Sequence, residues 1–277
     1  MGMRISTNVS AIQANRNLIF SQREIQKSSA QLASGSRITK AADDAAGLAI
    51  SENLKSQIRS YTQAGRNAND GVSMVQTAEG GLNEISNMVT RLREIGIQAA
   101  SDTVSDKERV MIDREVQQLK LEMQRIAQTT RFGNTNLIDG SGDKFDFQVG
   151  INNDDFSDRI SYMAGETNAT IANLGLDGLD YTTKSSAQEA LAQLDEAQST
   201  VNGFRANLGA LQNRLQSTTD NLAVMNENIS AANSRIRDTD VAQASSEATR
   251  NNILLQASTS TLAQANQVPS LALKLLG

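Results

Sequence analysis

Leu194, Ala197, Val201, Phe204, Leu208, Leu211, Leu215, Thr218, Leu222, Met225, Ile229, Ala232 and Ile236 follow one another in alternating steps of three and four. This spacing is a coiled-coil seam of about six heptads, with Thr218 its one polar interruption. A second seam lies far upstream: Leu48, Ser51, Leu54, Ile58, Tyr61, Gly65, Ala68, Val72, Val75, Ala78, Leu82, Ile85, Val89, Leu92 and Ile95. A helix from about Asp44 to Ala99 would run roughly 80 Å. Two such stretches, distant in sequence and matched in length, most simply pair with each other, and Gly65 and Ala68 would admit a close neighbour. The expected fold is mainly α: an elongated antiparallel coiled-coil and helical-bundle rod with paired N- and C-terminal helices.

A third helix is expected after the turn Asp102-Thr103-Val104. Ser105 and Glu108 have the spacing of a capping box, and Ile112, Val116, Leu119, Met123 and Ile126 continue at three-four spacing. This helix should fold back on its predecessor. The period then changes. Lys144-Phe145-Asp146-Phe147-Gln148-Val149-Gly150 alternates apolar and polar, the pattern of a half-buried strand. The segments 136–140 and 159–163 are its candidate partners, giving a small antiparallel hairpin patch within about 134–183. Helix resumes from Thr182.

Composition narrows the function. Of 277 residues, 39% are apolar but only 3% aromatic, and Pro269 is the single proline. The interior must therefore be built from Leu, Ile, Val, Met and Ala packed helix on helix. With no Cys and no His there is no thiolate nucleophile, imidazole base, catalytic triad or zinc site of the usual kinds. The net charge of −5 argues against nucleic acid as a partner. No apolar run suffices for membrane insertion, and the N-terminus lacks the pattern of a cleaved signal peptide.

Local motifs that resemble sites have simpler readings. In Asp139-Gly140-Ser141-Gly142-Asp143 the sixth position of a calcium loop would be Lys144 and the twelfth Gly150, so a polar turn fits better than a metal site. Asp43-Asp44 precede a helix start, where an N-cap and a favourable dipole charge explain them without catalysis. Gly80-Gly81 inside a helical seam indicates close helix contact or a bend. No cofactor or metal is expected, and the chain is not expected to be an enzyme. Towards the ends, Ile5, Val9, Ile12, Ile19, Ile25 and Leu32 form a thin apolar stripe, and 271–276 is leucine-rich. Ends of this kind, lacking a local partner, invite association with other chains.

Several stretches carry a family resemblance. Residues 1–8 (Met-Gly-Met-Arg-Ile-Ser-Thr-Asn), Leu32-Ala33-Ser34-Gly35-Ser36-Arg37-Ile38 and Ala41 through Ser51 closely resemble bacterial flagellin. So do Asn69 through Gly80, Leu208 through Leu215, Ser234-Arg235-Ile236-Arg237-Asp238-Thr239-Asp240 and Gln256 through Gln267. The resemblance covers about 1–140 and 185–277, and it implies a minimal flagellin without the outer variable domains. It implies an inner domain made of 1–42 and 237–277, and a rod-like helical domain of 43–236. It further implies a flagellar filament subunit for swimming motility, a helical homopolymer outside the cell, exported unfolded by the type III route without a cleaved signal and assembled at the distal tip. Implied partners are a flagellar export chaperone, the hook-associated junction and cap proteins, and animal Toll-like receptor 5. The family's receptor surface maps onto Arg91, Ile95 and Glu115. Chaperone and core-packing contacts map onto Leu262, Leu271, Leu273, Leu275 and Leu276. A hook–filament junction protein shares the end motifs and is the nearest alternative; a membrane-active amphipathic protein and an enzyme are the more distant ones.

Overall fold

The computed structural model describes residues 7–274, with side chains through Gln267. The chain divides into two compact units: one combines the chain up to Ser56 with that from Asn228 onward, and the other is Gln57–Glu227. The described residues form five long helices: α1 (Val9–Ser34), α2 (Ala45–Ala99), α3 (Asp106–Thr129), α4 (Lys184–Arg237) and α5 (Val241–Lys274). The unit divisions fall inside α2 and α4, whereas the boundaries implied at 42/43 and 236/237 lie close to helix ends.

In the unit Gln57–Glu227, α2 is the common wall. Val75, Ala78, Leu82, Ile85, Val89 and Leu92 are fully buried, as the three-four spacing requires. Helix α4 runs antiparallel to it. Arg93 Nε meets Asp195 Oδ1 at 2.7 Å, Gln198 Nε2 donates to Ser86 Oγ at 2.8 Å, and Leu215 lies against Gly71. A Cβ on Gly71 would sit 3.3 Å from Leu215 Cδ1, so this glycine sets a close approach. Gly65, expected to serve that purpose, has open space around it, and the buried positions there are Ala64 and Ala68. The α4 seam is buried at Leu194, Val201, Leu208, Leu215 and Leu222, then fades: Met225 is exposed and Ile229, Ala232 and Ile236 are half-buried.

Helix α3 folds back on α2 as expected. The capping box forms, with Ser105 N–H donating to Glu108 Oε2 at 2.8 Å. Unforeseen is Arg109, a buried cation that closes the α2 C-terminus. Its guanidinium donates to the carbonyls of Ala99 and Ser101, both at 2.8 Å, and pairs with Asp106 at 2.6 Å. It thus satisfies carbonyls that the helix itself leaves unpaired. Gly81 confirms the close-contact reading, since a Cβ there would strike Thr130 Oγ1 at 2.6 Å.

The middle differs from expectation. Strand β3 (Lys144–Gln148) pairs antiparallel with β4 (Arg159–Met163), Phe145 opposite Tyr162. The segment 136–140 does not join them. Instead β1 (Arg131–Phe132) and β2 (Thr135–Asn136) form their own tight hairpin through Gly133, at φ 60°. Leu137 and Ile138 are both fully buried, which the two-residue period of a strand with one solvent face does not allow. Beyond Met163 the chain is a strap without strands. It begins with a 3-10 turn at Ala164–Glu166 and buries Ile171, Leu174, Leu176, Leu179 and Tyr181. The expected hairpin region thus contains strands only up to 163.

The strap is fastened by polar groups that periodicity cannot reveal. Buried Lys120 donates to Asp177 O at 2.7 Å, Gln124 accepts from Ile171 N–H, and Tyr181 Oη donates to Leu92 O at 2.9 Å. Burial, followed by the nearby Asp113 carboxylate, pushes the Tyr181 phenol above its ordinary range.

Arg109→Ala is expected to destabilise the chain by about 2–3 kcal/mol, because the carbonyls of Ala99 at the end of α2 and Ser101 just beyond it lose charge-assisted partners. A lower urea midpoint at unchanged slope would measure it. Glu108 is held below the ordinary glutamate range, first by the Ser105 N–H and then by the Ser105 hydroxyl. A depressed folded value gives a contribution present above the unfolded value of about 4.3 and lost as pH falls through the folded one. Glu108→Gln should therefore remove part of the stability gained on raising pH across that window, as read from unfolding midpoints at successive acid pH values.

Candidate assembly interface

The unit containing both chain ends is built on α1 and α5. Asn8 caps α1 by accepting from Ala11 N–H at 3.1 Å, and its Nδ2 donates to Ala265 O at 2.7 Å, near the far end of α5. At the opposite end, Ser36 bridges Asp238, Thr239 N–H donates to Gly35 O, and Arg37 N–H donates to Arg237 O. The helices are therefore antiparallel. Gly35 ends α1 at φ 67°, and Ile38 packs so closely on Gly47 that a Cβ there would lie 2.8 Å from its Cδ1. Asp44 caps α2 by accepting from Gly47 N–H at 2.8 Å, and Asp43 takes the Thr39 hydroxyl and the Thr39 and Lys40 N–H groups. Asp44 thus has the capping role expected of it, whereas Asp43 closes the preceding turn instead.

The seam between α1 and α5 is made mostly of small side chains. On α1 Ala11, Ala14, Leu18, Ser21, Ile25, Ser28 and Leu32, a three-four series, are buried or half-buried, with Glu24 and Gln31 half-buried at its margin. On α5 they are Ala244, Ala248, Asn251, Leu255, Ser258, Leu262 and Ala265. The apolar stripe read from the sequence splits accordingly. Ile25 and Leu32 belong to this seam, whereas Val9, Ile12 and Ile19 lie outside it and are exposed. The register follows the close packing that Ala and Ser permit, which leaves larger side chains outside. Ile12, Phe20 and Ile253 remain 60%, 63% and 61% exposed, with Leu254 and Val241 also open. Fully burying one such side chain contributes about 1.5–3 kcal/mol, so the pair carries strong driving force for contacts it does not make alone.

Leu262 is half-buried in the α1–α5 seam, in keeping with a packing role. The side chains of Leu271 and Leu273, Leu275 and Leu276 entirely, and Ile5 lie outside the described residues.

Of the residues expected from the resemblance to form a receptor surface, Arg91 and Glu115 come together on the exposed face of α2 and α3. Arg91 Nη2 meets Glu115 Oε1 at 3.0 Å and its Nη1 meets Glu94 at 3.2 Å. The paired carboxylates, Glu115 first, hold the guanidinium above its ordinary value. Ile95 does not join them: it is 2% exposed and belongs to the core beneath. Its place in the α2 seam already carried that signal. No described helix is long and apolar enough to cross a membrane.

Comparison with known proteins agrees with the helix pattern. Residues 5–143 match the bacterial flagellin N-terminal helical region, and 191–276 match the bacterial flagellin C-terminal helical region. The chain belongs to the bacterial flagellin family. A flagellin of Halalkalibacterium halodurans is 42% identical across 99% of this chain and all of its own length. The flagellar filament 30.7 kDa core protein of Treponema maltophilum is 39% identical, with the same coverage of this chain and all of its own. The crystal structure of Bacillus cereus flagellin aligns with a TM-score of 0.51 at 28% identity, covering 57% of this chain and 88% of that one. The region between the two family matches, 144–190, holds only the β3–β4 hairpin, the strap and the first turns of α4. At 277 residues, this flagellin-family chain is short.

Ala14→Leu should overpack the α1–α5 seam and cost about 1–3 kcal/mol. Ile12→Ser, on the exposed face, should change monomer stability by no more than about 0.5 kcal/mol. Circular dichroism melts of the two variants would check the contrast.

Proposed function

We propose that this chain is a structural subunit of the bacterial flagellar filament, polymerising as a helical homopolymer in an extracellular appendage. The observation that carries this is the α1–α5 pair, which closes mostly on small side chains and leaves Ile12, Phe20, Ile253 and Leu254 facing outward. Family membership over the whole chain gives that arrangement its context, since relatives matching from end to end are flagellins and filament core proteins. A repeated heterologous contact that does not close generates a helical filament, and exposed Ile12, Phe20 and Ile253 supply surface for such contacts.

The finer readings rest on the same surfaces. Export unfolded, without a cleaved signal, suits a chain free of disulfides. An export chaperone covering 237–277 would mask Leu271, Leu273, Leu275 and Leu276 before assembly, and hook-associated junction and cap proteins would meet the filament at its two ends. Toll-like receptor 5 would contact the Arg91–Glu94–Glu115 cluster, with Ile95 supporting Arg91 from one turn below.

Purified protein seeded with short filament fragments should elongate into filaments visible by electron microscopy. Protein that stays dispersed at high concentration with seeds present would refute the filament role. Ile12→Ser combined with Phe20→Ser should prevent elongation while leaving helicity unchanged. Arg91→Ala should abolish receptor signalling by the monomer, and full signalling by that variant would exclude the receptor contact.

A further inference from the structure

Helix α3 presents both apolar and basic side chains to water on the side opposite its buried seam. Lys107, Met111, Arg114, Gln118, Leu121 and Arg125 follow steps of three and four and are all exposed, whereas Val116, Met123 and Ala127 face the core. Met111 and Leu121 are 60% and 63% exposed, a large apolar area for a well-packed helix to leave open. Arg125 pairs with Glu122, but Lys107 and Arg114 have no ion partner among the described residues.

Helix α4 carries the opposite charge on a face of the same unit. Glu189, Ala192, Glu196, Ser199 and Gly203 are exposed at matching spacing, on the side away from buried Ala190, Leu194, Ala197 and Val201. Neither glutamate has an ion partner among the described residues. Gly203 stands deep inside the helix, where glycine is among the least favoured residues, and a Cβ on it would meet nothing within 4 Å. Gly71 and Gly81 are different, since they make room for Leu215 and Thr130. The space at Gly203 serves no contact within the unit and lies open to a side chain from outside.

Helices α3 and α4 each run antiparallel to α2, and so parallel to each other. A helical homopolymer repeats one subunit orientation, so α3 of one copy and α4 of another also meet parallel. We propose that Leu121 of one copy seats over Gly203 of a like-oriented second copy, between α3 and α4 packed in the parallel register Lys107–Glu189, Arg114–Glu196 and Leu121–Gly203. These pairs are successive heptads, each about 10 Å of helix from the next. The same register brings Met111 within one residue of Ala192 and Gln118 within one residue of Ser199, so long side chains meet short ones. Surface and complement lie on different helices, so the contact is heterologous and each copy keeps one of each free for the next. The interface rests on the filament reading above and assigns it one specific contact.

Charge reversal tests the pairing of the faces. One variant carries Lys107→Glu and Arg114→Glu; the other carries Glu189→Lys and Glu196→Lys. All four positions are exposed, so both should keep the helicity and melting of the unaltered protein. Each alone should need about tenfold or more protein for seeded growth, because like charges then oppose at every contact. An equal mixture should grow at a clearly lower concentration than either part, since contacts between unlike variants restore attraction. Growth of either variant alone at the unaltered concentration would overturn the interface, as would a mixture that does no better than its parts. The chain has no cysteine of its own, so paired cysteines test the register. Filaments carrying Leu121→Cys with Gly203→Cys, oxidised with copper phenanthroline, should give a ladder of joined chains on a non-reducing gel, and dispersed protein should stay monomeric. Leu121→Cys with Thr182→Cys, the pair an inverted docking of the same charges would bring together, should give no ladder. A ladder from that pair, or none from filaments of the first, would overturn the register. Failure of the unaltered protein to grow on its seeds would instead refute the filament role itself.

Discussion

The buried seam of α2 is shared by α3, α4 and the strap, and the unit Gln57–Glu227 depends on that sharing. Leu82, Ile85, Val89 and Leu92 leave water only because all three segments close over them together. Long isolated helices gain little from propensity alone, so their order comes from packing an apolar stripe against partners. Polar groups then select one arrangement among the apolar possibilities. Arg109 holds the end of α2, Lys120 and Gln124 hold the strap, and Gln198 meets Ser86 across the α2–α4 seam. Each would be a desolvated group at a loss in a different register.

The unit of the chain ends follows another logic. Its seam is also a heptad series, but Ala14, Ser21, Ser28 and Ala244 bury little apolar area when they close. The larger side chains Ile12, Phe20 and Ile253 face outward. A pair built in this way saves much of its hydrophobic stabilisation for other molecules. One unit is thus provided for within the chain, while the other leaves several of its large apolar groups exposed, in keeping with the proposed filament role.

Much of this was legible in the residues. The three-four spacing placed α2, α3 and α4 and named most of their buried positions. The capping box at Ser105, the cap at Asp44 and the alternation of 144–150 were correct local readings, because each depends on neighbours within a few residues. The failures have a common cause. Gly65 looked like a contact glycine and Gly71 did not, yet it is Gly71 that meets Leu215. Ile12 and Ile19 looked like seam residues until the close packing of Ala14 and Ser21 turned them outward. Ile95 was placed on a surface by analogy although its seam position argued for burial. The strap of 164–183 has no period at all, so its burial had no signature.

By itself the sequence determined the helical class, the antiparallel pairing, the helix starts and the family, because periodicity, capping and long motifs are written in local order. Only the tertiary structure decided which face of α1 is the seam and how the strap is held. It also decided which of two adjacent glycine-bearing turns receives a neighbour, and which charges remain unpaired. Those outcomes turn on distances between residues far apart in the chain, where a difference of one methyl group in packing changes which side chain is left in water.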